Sequence, residues 1–509
     1  MTQPLFLVID VGTGSVRAAA VDKKGTILAF ANREHDQHVP RYGWCEQRPV
    51  DWWQGAAESV RNVVETLGRE AERIECIACC GQMHGTVFVD GSGEITREYA
   101  LLWNDKRTIP QVEAYQRKFG IDGSLRETGN PPTPAWPGFK LQWLAEYEPE
   151  LLERSAKVMM PKDYINFRLT GNIAFDDTEA SLSFMMDADS SCWSSVMLQQ
   201  LEIDPSLLPP LRKPLEILGM VTERASRETG LSSGIPVAVG GGDFPLTLLG
   251  SGACSPGIGS DVTGTSSIIT LIQKQPVRHP ELSNVKTPEG NWGAFTLLDA
   301  GGDAVRWARR AMNENSLSYA EATEKAAQSP AGSRNLFFLP YLTGERLGET
   351  RNSRAMFFGL NSGHSLEDMH RSVLEGVAFA VRRHIEQMSD AGQPPEQIIA
   401  ASGGAKSRLW LEIKASMYGS PIVVPEEPEC GVIGCTALAA TASGHFNTLE
   451  DAAASLVGFA QEVQPNPTWQ ETYDRMFPLF TQIKEANSHL YKKLDALESD
   501  EENMNSGEK

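Results

Sequence analysis

The 509-residue chain carries 46 basic against 66 acidic residues, a formal charge of −20, and is 41% hydrophobic. Such a length is natural for two domains of roughly 250 residues, each with enough apolar residues for its own core. The acidic balance argues against nucleic acid or an anionic membrane as partner, so an anionic ligand would need local N–H donors, Lys or a metal. Met1-Thr2-Gln3-Pro4-Leu5 shows no basic stretch leading into an apolar run, and no apolar run approaches membrane-spanning length. Eight cysteines in so long a chain suggest reduced thiols. The expectation is a soluble cytoplasmic protein.

Leu5 to Asp10 reads as a strand and ends in Asp10-Val11-Gly12-Thr13-Gly14-Ser15. Val16 to Asp22 and Thr26 to Phe30 read as two further strands. Strand, glycine turn, strand, turn, strand is an antiparallel meander. A dinucleotide fold would need a helix after the first turn, and no GxxxxGK[ST] occurs, so Rossmann and P-loop readings both fail. Trp52 onward has helical spacing, with Asp51 as its expected N-cap. Ile74 to Cys80 reads as a buried strand whose cysteines lack a second Cys/His pair at metal-binding spacing, and it runs into Gly81-Gln82-Met83-His84-Gly85. Trp103-Asn104-Asp105 sits at the end of another strand, and Pro161-Lys162-Asp163-Tyr164 opens a short helix ending near Gly171.

Ile235 to Val239 reads as a strand leading into Gly240-Gly241-Gly242-Asp243, where a ligand can approach a carboxylate unhindered by Cβ atoms. A plain glycine turn with an exposed Asp is the alternative. Gly257 to Val262, Thr263-Gly264-Thr265-Ser266-Ser267 and Ile268 to Ile272 repeat the arrangement of the N-terminal end. Turns of this kind can align N–H groups around an anion. Each alone could be an ordinary hairpin; both together suggest a duplicated nucleotide-clamping domain. Ala401 to Ser407 reads as a strand-to-helix turn, and Glu498 to Lys509 as polar, mostly acidic tail.

These residues resemble the FGGY carbohydrate kinases of the actin-like ATPase superfamily over nearly the whole chain. Ala355-Met356-Phe357-Phe358-Gly359-Leu360, followed after seven residues by Asp368 to Glu375, agrees with the family's second signature. Pro137, Lys140 and Trp143 fit the first signature while Ala135 and Tyr147 depart from it, and Phe338 to Arg346 also looks like the family. Within it, Gln82-Met83-His84, Trp103-Asn104-Asp105 and Pro161 to Tyr164 are most similar to the xylulokinase group.

The resemblance implies an α/β fold of two actin-like (ribonuclease H-like) domains flanking a deep catalytic cleft, over 1–250 and 251–490, with an acidic, disordered tail at 491–509. It implies ATP and Mg2+, a small-molecule sugar substrate such as a ketose, no nucleic acid or membrane partner, and leaves a homodimer open. Asp243 corresponds to the general base and Asp10 to the carboxylate holding magnesium. Met83, His84, Trp103, Asp105, Asp243 and Phe244 correspond to the sugar site. Gly12, Thr13, Ser15, Gly264, Thr265 and Ser266 match the phosphate loops, Gly403, Gly404 and Ala405 the adenosine turn, and Arg17 is a candidate phosphate contact. Trp44 with Glu46-Gln47 resembles a segment near the sugar. Without the resemblance, Met83 reads as core, His84 as a structural histidine and Arg17 as a solvated strand residue.

The chemistry suits these residue types, since phosphoryl transfer is positioning plus charge stabilisation and a sugar hydroxyl needs a base. Phe244 departs from the family, where a polar Asn or Gln often follows the base, and Gly344 to Glu349 lacks a usual proline. A different ketose or polyol, or a substrate like autoinducer-2, is therefore the alternative. A non-catalytic actin-like ATP-binding regulator is the reading from another class. Asp243 combined with His84 and Trp103 argues against it.

Overall fold

In the computed structural model, residues 3–313, 316–345, 347, 351–389 and 394–506 are described. Leu5–Val11 is buried at every position and lies inside a sheet, which explains its unbroken apolar run. It pairs antiparallel with Ser15–Asp22, which pairs antiparallel with Ile27–Glu34, completing the expected meander. On its other side Leu5–Val11 pairs in parallel with the cysteine strand Ile74–Gly81, which pairs in parallel with Pro236–Ala238 and Gly241–Gly242. Cys76, Cys79 and Cys80 are all buried; burial pushes the Cys76 and Cys79 thiols up, Cys76 to about 11, and a hydrogen bond with Cys435 together with burial raises Cys80.

The second half repeats this plan. Ile258–Thr263 pairs antiparallel with Ser267–Gln273, that strand antiparallel with Trp292–Leu298, and Ile258–Thr263 in parallel with Gln397–Ala401. Two sheets of like topology, each with a glycine turn between its first two strands, are the two-domain mixed α/β fold of actin-like ATPases.

Asp243–Ser251 is a helix joining the two sheets, and it crosses Cys430–Ala442 at backbone contact. A Cβ on Gly250 would fall 1.8 Å from the Cys430 oxygen, and one on Gly434 1.9 Å from the Leu246 oxygen. Only glycine fits either place. Residues 82–235 add a lobe of short elements to the first sheet, with a core around Phe139, Trp143 and Phe184 that reaches Phe295 of the second half.

Two expectations need correction. The first long helix spans Pro49–Leu67 with Arg48 as N-cap, so it starts ahead of Asp51. Pro49 explains this, because its fixed φ and missing N–H suit a first helical turn. The tail expected from 491 begins inside a helix, Pro467–Ser506. Tyr473, Phe480, Ile483 and Tyr491 are buried along it, and Asp495 pairs with Arg354 at 3.0 Å. Acidic composition masked this helical spacing. Among the described residues, no helix is long and apolar enough to cross a membrane.

Candidate active site

Register brings the two key carboxylates together. Asp10 lies opposite Cys80, which lies opposite Gly241, so Asp10 and Asp243 sit at the same carboxyl edge, on the two parallel strands that flank Ile74–Gly81. The turn before Asp243 is closely packed on its neighbours. Gly240 has φ +74°, and a Cβ there would fall 2.0 Å from the Cys79 oxygen. A Cβ on Gly242 would meet the Met83 side chain at 2.8 Å.

Asp243 is partly buried and opens its helix, its Oδ1 accepting from the Phe244 N–H at 2.7 Å. Loss of hydration first, then the Asp10 charge, push its carboxyl up to about 7. Asp10 is also raised by burial, against the pull of Arg17. Asp10 Oδ1 is buried without a hydrogen-bond partner, while Oδ2 lies 3.7 Å from Arg17 Nη1. An anionic oxygen left without a donor fits a hydrated cation.

Arg17 does not stand free for a phosphate. Its Nη1 donates to Glu429 Oε2 at 3.0 Å, tying the first sheet to the start of the helix Cys430–Ala442. Gly12 and Ser15 close the first glycine turn through a 2.9 Å backbone bond. Gln47 braces it: its Nε2 donates to the Thr13 oxygen at 2.7 Å, and its Oε1 accepts from Gln82 and Trp52.

In the second turn the Gly264 N–H donates to the Ser266 oxygen at 2.9 Å, and the Gly264 and Thr265 oxygens accept from Gly302 and Asp303 at the start of the helix Gly302–Asn313. Beneath it lies a buried network. Lys414 Nζ donates to Asp261 at 3.0 Å and to Thr263 Oγ1 at 2.7 Å, and Tyr418 donates to Asp261 at 3.0 Å. Gly403 and Gly404 follow Ser402, whose φ is +69°, and a Cβ on Gly404 would fall 2.8 Å from the Thr263 Cβ. Gly403, Gly404 and Ala405 thus form a turn, Gly403–Lys406, against the second phosphate-type loop.

On the sugar side the residues divide. Met83 and His84 follow the cysteine strand and are largely buried. His84 takes φ +68°, its ring meets Trp136 edge-on at 5.1 Å, and its Nδ1 has no partner. Burial, reinforced by Lys140, keeps it neutral. Lys140 is fully enclosed, is pushed down to about 7 by burial, and donates to the His84 oxygen at 2.6 Å. Trp103 is exposed, its indole N–H donating to Thr13 Oγ1 at 3.1 Å. Asp105 is instead spent on structure. It is fully buried, paired with Arg107 at 2.7 Å, and accepts from the Cys45 N–H at 2.7 Å. Arg107 stacks on Trp44 at 3.7 Å. Phe244 meets Phe295 of the other domain edge-on at 5.1 Å and offers a ligand no hydrogen bond.

The stretch Ala355–Glu375 is far more a structural element than a site. Ser365 caps the helix Leu366–Met388 in a capping box with Asp368, which accepts from the Ser365 N–H, and Arg371 bonds Glu375 at 2.7 Å, which also accepts from Gly332, Ser333 and Tyr473. Arg346, Gly348 and Glu349 lie outside the described residues. Sequence reasoning missed Glu429, Asp261, Lys414 and the Gly301-Gly302 turn. Only the last had a signal, a glycine pair ahead of a helical stretch.

Comparison with known proteins decides the family. Residues 5–250 match the N-terminal domain model, and 260–443 the C-terminal domain model, of the FGGY family of carbohydrate kinases. The chain belongs to the FGGY family of carbohydrate kinases. It is thus a phosphotransferase with an alcohol group as acceptor, an ATP-dependent sugar kinase of xylulose kinase-like type. It is 29% identical over 490 residues to xylulose kinase of Bacillus subtilis, covering 95% of this chain and 98% of that one. It is 27% identical over 495 residues to autoinducer-2 kinase of Klebsiella pneumoniae, covering 92% of each. The crystal structure of xylulose kinase from Rhodospirillum rubrum superposes with a TM-score of 0.90 at 27% identity, covering 96% of this chain and all of that one. Asp10, the first glycine turn and Asp243 lie at the carboxyl edge of the first sheet, and the second glycine turn follows the corresponding strand, Ile258–Thr263, of the second sheet.

Proposed function

We propose that the chain transfers the γ-phosphate of ATP to a hydroxyl of a ketose such as D-xylulose, with Asp243 as general base. The observation that carries this reading is the shared strand edge of Asp10 and Asp243, with an Asp243 carboxyl raised to about 7. A base poised near neutrality removes a hydroxyl proton most effectively in the transition state. The first turn, with Gly12, Thr13 and Ser15, and the second, with Gly264, Thr265 and Ser266, supply N–H and hydroxyl donors for phosphate oxygens. Gly403, Gly404 and Ala405 leave room for adenosine. Asp10 would hold Mg2+ through water; when bound, the ion neutralises charge on the transferring phosphoryl group.

Met83, His84 and Trp103 line the sugar side, and Asp105 contributes by fixing Arg107 and the Trp44 ring. A second reading, another ketose, a polyol or an autoinducer-2-like acceptor, is favoured by one observation: Phe244 packs on Phe295 where a polar contact to a sugar would serve. ADP release with ATP and Mg2+ across pentuloses, hexuloses and polyols tests both. Turnover highest with D-xylulose supports the first reading. Turnover confined to a less hydroxylated acceptor supports the second, and ATP binding without sugar-dependent turnover contradicts both.

A further inference from the structure

The backbone leading into Asp243 packs against the Cys79 backbone and the Met83 side chain, and it is hydrogen-bonded by a further side chain, Thr178. Thr178 lies in the short helix Asp177–Ser181, where Asp176 is the N-cap and accepts from the Thr178 and Glu179 N–H groups at 2.9 and 3.0 Å. The Thr178 hydroxyl donates to Asp176 Oδ1. The same hydroxyl oxygen accepts the Gly242 N–H at 3.1 Å. Gly241 must be small for this approach, since a Cβ there would fall 3.0 Å from Thr178 Oγ1.

Asp176 is itself anchored. Its Oδ2 lies 2.8 Å from Lys162 Nζ, and Lys162 also pairs with Asp163. Lys162, Asp163, Asp176 and Thr178 are all buried. A buried, charge-assisted chain therefore runs from Lys162 through Asp176 and Thr178 to the Gly241–Gly242 peptide, one residue ahead of Asp243. Hydrogen bonds of this kind are short, desolvated and mutually reinforcing, so the chain is stiff. An ordinary N-cap would need only the Asp176 contacts to Thr178 and Glu179. The bond to Gly242, 64 residues away in sequence, is additional.

We propose that Thr178 is a positioning residue for Asp243: its hydroxyl fixes the Gly242 peptide and so aims the base at the acceptor hydroxyl. The proposal rests on the reading of Asp243 as general base. Misplacement of a reacting group by about 1 Å can lower a rate by roughly 100-fold, so a hydroxyl that sets the base's geometry acts on kcat more than on binding.

The test compares the full-length wild type with Thr178→Ser, Thr178→Val, Thr178→Ala and Asp243→Asn. Kinetics are run with ATP, Mg2+ and D-xylulose, or with the panel sugar of highest turnover, alongside thermal melts. Thr178→Val should lower kcat by about 10- to 100-fold with both KM values within about twofold. Thr178→Ser, which keeps the hydroxyl, should stay within about threefold of wild type, and Thr178→Ala should follow Thr178→Val, which covers the case of a valine variant that fails to fold. Full turnover in Thr178→Ala, or a serine variant as impaired as Thr178→Ala, overturns the assignment while leaving the base reading intact. Full turnover in Asp243→Asn removes the base reading and the Thr178 assignment with it.

Discussion

Replacing Asp243 by asparagine should abolish turnover and at the same time stabilise the protein. Burial first, then the Asp10 charge, push its carboxyl up to about 7 in the folded chain, against about 3.9 for a free aspartate. A group with a raised folded pKa binds its proton more tightly when folded, so it favours the fold fully only below the unfolded pKa. Its ionisation costs stability progressively as pH climbs toward 7. A gap of about three pH units corresponds to an upper limit of about 4 kcal/mol. Asp243 is only partly buried, and screening by water reduces this to about 1–2 kcal/mol. Asparagine can keep the Oδ1 bond to the Phe244 N–H, so the helix start is preserved. Thermal melts should place Asp243→Asn roughly 1–4 °C above wild type at pH 7.5, the upper end if the domain melts by itself. The difference should shrink as pH falls toward 4, where both side chains are neutral. kcat should fall by about 100-fold or more. A variant with wild-type Tm at both pH values, or a stabilisation that grows toward pH 4, would refute the electrostatic reasoning.

Gly240→Ala should be poorly soluble or destabilised by about 3 kcal/mol or more, read by urea denaturation, because its φ is +74° and its Cβ would fall 2.0 Å from the Cys79 oxygen. Lys414→Met should cost about 3–5 kcal/mol in the same assay, since it leaves Asp261 buried without its cation. It should also raise the KM for ATP, because Thr263 loses a donor next to the second glycine turn. Phe244→Asn should lower KM for a polyhydroxylated ketose by about 3- to 10-fold relative to a polyol lacking the carbonyl, measured by ADP release, if the Phe244–Phe295 contact limits acceptor choice.

Much of this architecture was legible in residue order alone. Asp10-Val11-Gly12-Thr13-Gly14-Ser15 and Thr263-Gly264-Thr265-Ser266-Ser267 each ended a β-rich run and began another, and both proved to be turns between antiparallel strands. Gly240-Gly241-Gly242 signalled room for a ligand beside the carboxylate, but Cys79, Thr178 and Met83 fill the space next to the glycines. Side-chain pairing across long sequence gaps was not legible. Arg17 looked available to a phosphate until Glu429, 412 residues away, appeared beside it. Asp105 looked like a ligand because nothing local shows that Arg107 folds back to claim both of its oxygens. Thr178 passed unnoticed because its partner, Gly242, is supplied by the fold. The final helix was missed because charge count outweighed the buried positions at Tyr473, Phe480, Ile483 and Tyr491.

The most direct test of the central claim is phosphorus NMR of the purified protein with ATP, Mg2+ and D-xylulose, followed by mass spectrometry of the product. The account predicts a new phosphomonoester signal rising in step with ADP, and its absence in Asp243→Asn. ADP accompanied only by inorganic phosphate, or ATP left intact with D-xylulose and every other sugar offered, would contradict it.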